Sequence, residues 1–320
     1  MVICYVAADA QTVGVAVLSH NNENTMFYGN TALQQAVDAA TEGDVITLSP
    51  GTFVGFDSFS KSGLTIIGSG MGEGPSQTIL TGFTVQSKHN KDNFVKLTLK
   101  NVYIASIFFS YSGNCELKLE KCRVHEAFRC ANSTSERGFI ELVDCENARE
   151  SKFTGCEDDF SNVELRAYNC ILKPKYLGND NERERILTNC IILCTPAGGT
   201  ASIHNSIIFE NDNNVLPSSL RATNCKAIGG NSNYFGTQAI TNERLDYNFQ
   251  AFVEGSFYEL LPELAGTWVD EHGSQIGIYG GPKPFSVLPD APRFIKFDVP
   301  AKTDADGHLK VEIEVAMPEK

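Results

Sequence analysis

The sequence predicts an all-β chain wound as a parallel β-helix solenoid of about nine coils. Three observations predict it. A phrase returns along the chain: "LRAYNCILK" at 165–173, "ILTNCIILC" at 186–194 and "LRATNCKAI" at 220–228. With its Asn as position zero, the series runs Asn101, Lys121, Asp144, Asn169, Asn189, Asn205, Asn224, in steps of 20, 23, 25, 20, 16 and 19 residues. Four and two positions before zero stand Leu97/Leu99, Leu117/Leu119, Ile140/Leu142, Leu165/Ala167, Arg185/Leu187, Ala201/Ile203 and Leu220/Ala222. All but Arg185 are apolar, and alternation with period two is the mark of a strand. Asn and Asp tolerate the left-handed backbone region best after Gly. Each phrase is therefore a short strand, a sharp bend at zero, and a second short strand. A period near 20 is too short for a helix pair and suits one coil, each adding a strand to several parallel sheets about 4.8 Å above the last.

The elements follow in order. Residues 1–10, "MVICYVAADA", hold a short apolar run and a small-x-small site, the form of a signal-peptide remnant without its basic region. An ordinary first strand is the alternative. Residues 11–29 then form a leader or first strand. In "NTALQQAVDAATEGDVITLSPGTFVG" at 30–55, Asn30 or Thr31 caps a short helix with an apolar face of Leu33, Val37 and Ala40. Gly43 ends it and "DVITL" begins a strand. A solenoid needs such a cover over its first coil, because an open end exposes core and unpaired backbone. The β-helix with this cap occupies 30–240.

Inside the coils, the residue after zero is Cys122, Cys145, Cys170, Cys190 and Cys225 in five of the seven phrases. A position just inside a tight bend suits Cys as a small hydrophobe, and in-register side chains point alike, so free buried thiols are expected. Zinc is disfavoured because no CxxC pair or His pair accompanies them. Cys115, Cys130, Cys156 and Cys194 lie outside this column, and a disulfide among them stays open. On the outer face Lys118, Glu141 and Arg166 alternate in sign on successive coils, a structural charge ladder.

Beyond 240 the repeat fades. Residues 241–289 read as a terminal cap carrying the single Trp268, and 290–320 as a β-hairpin tail around Asp306-Gly307. The "DADG" at 304–307 lacks the Glu that a calcium loop needs at its end. No run approaches the roughly 18 apolar residues of a membrane span. The chain carries 39 acidic against 26 basic residues, a net charge of -13, which makes nucleic acid a poor partner.

The entry "NTALQQAVDAATEGDVITL" with "LTIIGSG" at 64–70 resembles that of the right-handed parallel β-helix proteins of the pectate-lyase-like superfamily, over about 30–240. "GSQIGIYGG" and the tail after it resemble the ends of uncharacterised exported bacterial β-helix repeat proteins. The resemblance implies a secreted or cell-surface protein and no particular reaction. Function on such solenoids sits in loops that interrupt the coils. Here those are "HEAFRCANSTSERG" (125–138), "ENARESKFTGCEDDFSN" (146–162) and "KPKYLGNDNERER" (173–185). The first expectation is a non-catalytic, adhesin-like scaffold that binds polysaccharide, a cell-surface glycan or another partner, with Arg129, Glu157, Asp158, Asp159 and Tyr176 as contact residues. The alternative is a polysaccharide lyase or glycoside hydrolase. Lyase chemistry needs a basic residue and often Ca²⁺ held by carboxylates. Arg149, Lys152 and His125 are its candidates, with Asp158 and Asp159 for the cation. "EDD" at 157–159 resembles the paired aspartates of polygalacturonases, but no Gly-His-Gly or Arg-Ile-Lys phrase follows. No other cofactor is expected, and the remaining His are scattered, His204 reading as a surface residue before a bend.

Overall fold

The computed structural model describes residues 14–59, 61–87, 95–111, 115–126, 128–131, 138–147, 158–178, 183–210, 215–290, 292–298, 306–308 and 312–317. The chain is nearly all-β and winds a parallel solenoid of about eight turns. Its last rung, Glu243–Asp246, pairs with Lys226–Gly229 only, so the final repeat adds to one side of the coil.

Each coil is built around the residue that the phrase marks. Asn101, Lys121, Asp144, Asn169, Asn189, Asn205 and Asn224 all have left-handed backbones, with φ between 50 and 55°. The bend turns the chain between two ladders of one large sheet. Strands such as Cys115–Val124, Gly138–Val143 and Val163–Tyr168 stack in register before and at the bend. Ile171–Leu172, Ile191–Ile192 and Ile207–Phe209 stack beyond it. A seven-stranded parallel sheet closes the coil, from Phe56–Phe59 to Gly198–Gly199. The inward residues, Leu97, Leu117, Ile140 and Leu165 among them, are essentially inaccessible. Burying a Leu or Ile of this kind contributes about 1.5–3 kcal/mol.

The column after the bend is fully buried, and Cys122, Cys145, Cys170, Cys190 and Cys225 are free thiols. Their sulfurs lie against main-chain carbonyls: Cys122 Sγ is 3.4 Å from Leu99 O, Cys145 Sγ 3.4 Å from Leu119 O, and Cys225 Sγ 3.4 Å from Ile203 O. Each S–H is a weak donor to that carbonyl. Ser206 stands in the same column, its hydroxyl donating to His204 O of its own coil at 2.7 Å. Outside the column, Cys115 is free and Cys194 is disulfide-bonded. Cys156 and the side chain of Cys130 lie outside the described residues.

At the start, Val15–His20 and Glu23–Tyr28 form an antiparallel hairpin about Asn21 and Asn22, and Val15–His20 also pairs antiparallel with Val45–Leu48. The helix Ala32–Ala39 buries Ala32, Leu33, Ala36 and Val37 beside it. Thr31 is its N-cap residue but makes no side-chain cap bond. Residues 1–10, the expected signal remnant, lie outside the described residues.

The far end behaves differently from a plain terminal cap. After Asp246 the chain turns back and runs along the outside of the solenoid. Asn224 Nδ2 donates to Val269 O, Gly277 N to Asn205 O, and Asn169 Nδ2 to both Ile278 O and Gly280 O. Lys121 Nζ donates to Leu288 O and pairs with Asp290. The amides of the bend thus hold a strap, residues 268–290, in addition to one another. Apolar anchors seal it: Trp268, Ile276, Ile278 and Phe285 pack on Ile171, Ile191, Ile207 and Ile228 of the solenoid's outer wall. The tail strands Arg293–Asp298 and Glu312–Ala316 pair antiparallel. No helix among the described residues is long and apolar enough to cross a membrane.

Candidate functional site

The outer side of the seven-stranded sheet brings together residues that lie far apart in sequence. Its strands alternate. Phe83, Ile107, Phe128 and Asp158 face inward and are buried. The residue after each faces outward, and the pairing puts Thr84, Phe108, Arg129, Asp159, Tyr176 and Gly198 in one column. Phe108 to Tyr176 is three rungs, roughly 14 Å at about 4.8 Å per rung.

The column pairs rings with charge. Phe108 is 38% exposed, large for an apolar ring on a sheet face. Arg129 beside it is exposed and forms no ion pair or hydrogen bond among the described residues. Asp159 Oδ1 accepts the Ser161 N–H at 2.9 Å and the Ser161 hydroxyl, which fixes the carboxylate's orientation. Lys175 Nζ sits 5.3 Å from the centre of the Tyr176 ring. The other outer face contrasts with this one. There the expected charge ladder neutralises itself: Lys96 with Glu116 at 2.9 Å, Lys100 with Glu120 at 2.8 Å, Lys118 with Glu141 at 3.3 Å. Arg166 closes the ladder on Glu184 at 3.2 Å rather than on Glu141, with its guanidinium over the Phe139 ring. That face offers few unspent charges among the described residues, whereas Arg129 forms no ion pair among them.

Of the residues singled out in the sequence, Arg129, Asp159 and Tyr176 share this column. Asp158 does not join them. It is fully buried, and its carboxylate accepts N–H bonds from Phe128 N (3.0 Å), Lys173 N (2.8 Å) and Asn147 Nδ2 (2.8 Å). Burial pushes its pKa up to about 6 against the pull of those donors. A carboxylate ringed by N–H donors in the core fastens three coils together and gives Ca²⁺ no open face, so the calcium assignment of Asp158 does not fit. Among the described residues no cluster of three His, Cys, Asp or Glu could hold a metal ion. His125 is exposed at a coil corner, its ring 6.0 Å from that of Tyr103, and His204 is half-buried. Arg149, Lys152 and Glu157 lie outside the described residues.

No family model, curated protein or solved structure matches this chain. The candidate site is therefore defined by its geometry alone. Sequence reading missed Phe108 and Lys175. The second sheet carries no Asn landmark, so its register and its outward side were not fixed by the repeat. The signal that could have found Phe108 is its place in "SIFFSY", one residue after the inward Ile107.

Proposed function

We propose that this protein is an exported, non-catalytic binding scaffold that lays a glycan chain along the outer column of its seven-stranded sheet. The carrying observation is Arg129, unpaired among the described residues, between Phe108 and Asp159, with Tyr176 one rung further, all in register. Rings offer flat apolar platforms for sugar faces, and a guanidinium and a carboxylate supply bidentate donors and acceptors for hydroxyls. A solenoid suits this task because its rungs repeat at a fixed spacing, as a polymer does. Arg129 and Lys175 make the column locally basic on a chain of net charge -13, which favours glycans that carry carboxylates. The disulfide at Cys194 supports an oxidising compartment and hence secretion or cell-surface display. Membership of the pectate-lyase-like superfamily and a bacterial, exported origin belong to the same proposal.

The test is retention of the full chain on immobilised uronate-containing and neutral polysaccharides. The double substitution Arg129→Ala, Tyr176→Ala is expected to weaken retention about tenfold or more, a loss of roughly 1.4 kcal/mol or above. Unchanged retention would move the site elsewhere. Ultraviolet absorbance of the same mixtures, with Ca²⁺ and with chelator, is expected to stay flat. Growth of a conjugated double bond would mean β-elimination and redirect attention to Arg149 and Lys152.

A further inference from the structure

On the outside of the strands that follow the bend, a cavity of about 610 Å³ lies between the solenoid wall and the returning chain at 247–258. Its volume falls within the range of small-molecule sites. The floor is solenoid: Arg123, Glu146, Ile171, Leu193 and Phe209. The roof is a turn whose ends are tied by Val253 N donating to Glu259 O at 2.9 Å, and by the Tyr279 hydroxyl donating to Phe257 O at 2.8 Å. The cavity is therefore preformed rather than a gap beneath loose chain.

Two properties define what it fits. The walls are aromatic. Tyr258 meets Phe252 edge-on at 5.4 Å, Phe257 at 5.9 Å and Phe209 at 6.3 Å, while Phe209 stacks on Phe252 at 5.9 Å. Tyr258 holds this place with a left-handed backbone, φ 58°, a conformation that bulky residues seldom adopt and that persists where the surroundings enforce it. The charge is unbalanced toward anions. Arg123 faces two carboxylates, Glu146 at 3.3 Å and Glu73 at 3.5 Å, and its buried Nε finds no hydrogen-bond acceptor of good geometry. Glu210 and Glu254 also line the space, the former with both oxygens on the Asn231 N–H. Glu146 is buried, which raises its pKa, and Arg123 and Lys173 oppose that rise only in part. Rings around an excess of carboxylate make the environment that stabilises an organic cation by cation–π and Coulomb attraction together. A second cavity of about 530 Å³ shares Arg123, Glu146 and Phe257 and reaches out to Glu73, so the same charges line both spaces.

We propose that this cavity binds a small organic cation, an ammonium group carried on an apolar body, with Glu146 as its counter-ion and Phe252, Phe257 and Tyr258 as its cage. The protein supplies its own reporter. Trp268 is the single tryptophan, and it stacks at 5.9 Å on Phe249, which lines the cavity. The experiment is a fluorescence titration of the full chain with benzyltrimethylammonium, with benzoate and benzyl alcohol as probes of the same body and different charge. Saturable quenching or enhancement by the cation, at least about tenfold tighter than by either other probe, is expected. Glu146→Gln, which keeps the shape, should remove that preference. Leu193→Phe, which fills the floor without touching charge, should abolish the response while the thermal melt stays cooperative. Equal response to all three probes, no saturable response to any, or cation binding that survives both substitutions would each overturn the proposal.

Discussion

Asn169 shows what a single bend residue carries. Its backbone is left-handed at φ 53°, and its amide donates to Ile278 O and Gly280 O, both at 2.7 Å. Asn169→Ala puts a residue that tolerates the left-handed region poorly where Asn tolerates it well, and strands two carbonyls, so a loss of about 2–4 kcal/mol is expected in urea unfolding. Asn169→Gly keeps the backbone and loses only the donors, so it should cost less. The reverse order would mean that the left-handed φ angle carries no penalty for Ala at this bend. The thiol one position on makes a second prediction. Burial pushes the Cys122 and Cys170 thiols up, and Cys225 to about 12. The thiolate is the reactive form. Cys122, Cys170 and Cys225 should therefore resist an alkylating reagent in the folded protein and react fully in denaturant, as mass spectrometry of the labelled chain will read. Fast labelling of Cys122, Cys170 or Cys225 without denaturant would contradict the packing described. This layer was the most legible in the sequence, because a left-handed bend and a tight inner corner each admit few residue types.

At the scale of elements, legibility falls where the repeat stops. The inward Leu and Ile ladder could be read from period two. Arg185, the one exception in that ladder, is buried because its guanidinium reaches Arg183 O at 3.1 Å and Ser161 O at 3.0 Å, a local need that no pattern encodes. The outward column of the seven-stranded sheet was half visible: Arg129, Asp159 and Tyr176 were named, but their alignment depends on the lengths of the inserts between them, and Asp158 could not be told from Asp159 without knowing which side of the strand is inside. The strap at 268–290 has no period of its own, so its course along the bend amides was not legible. Its fit is testable at Gly281, where φ is 75° and an added Cβ would lie 2.6 Å from Asn189 Nδ2. Gly281→Ala should cost about 1–3 kcal/mol and raise amide hydrogen exchange through 276–281 ahead of the coils. Equal exchange in strap and solenoid would show that the two unfold as one unit.

Across the whole molecule, acidity and burial act together on stability. The chain carries net charge -13, and its buried carboxylates have pKa values moved upward: Asp144 to about 7, Asp158 to about 6, and Glu146 in the same direction, each chiefly by burial. A carboxyl whose pKa is higher in the fold than in the unfolded chain binds its proton more readily when folded, so its ionisation opposes folding. For Asp144 this cost accrues as pH rises from its ordinary 3.8 toward about 7. Asp44 has the opposite sign. The Thr41 N–H, with lesser help from His20, lowers its pKa, so its contribution is present above the ordinary value and lost as pH falls below it. Stability should therefore peak in mildly acidic solution and decline toward pH 8, with self-repulsion of the surface adding to the decline. Asp144 isolates the buried part. Its Oδ1 is buried without a hydrogen-bond partner, and it occupies a column where Asn is the usual residue. Asp144→Asn should stabilise the protein by about 1–2 kcal/mol near pH 8, allowing for solvent screening, and by little near pH 4, where the native carboxyl is already neutral. Thermal melts of both proteins from pH 4 to 8 will show a shallower slope in the variant. Parallel slopes would mean that Lys121 keeps Asp144 ionised and compensated throughout, and that the pH dependence arises from Asp158, Glu146 and the surface.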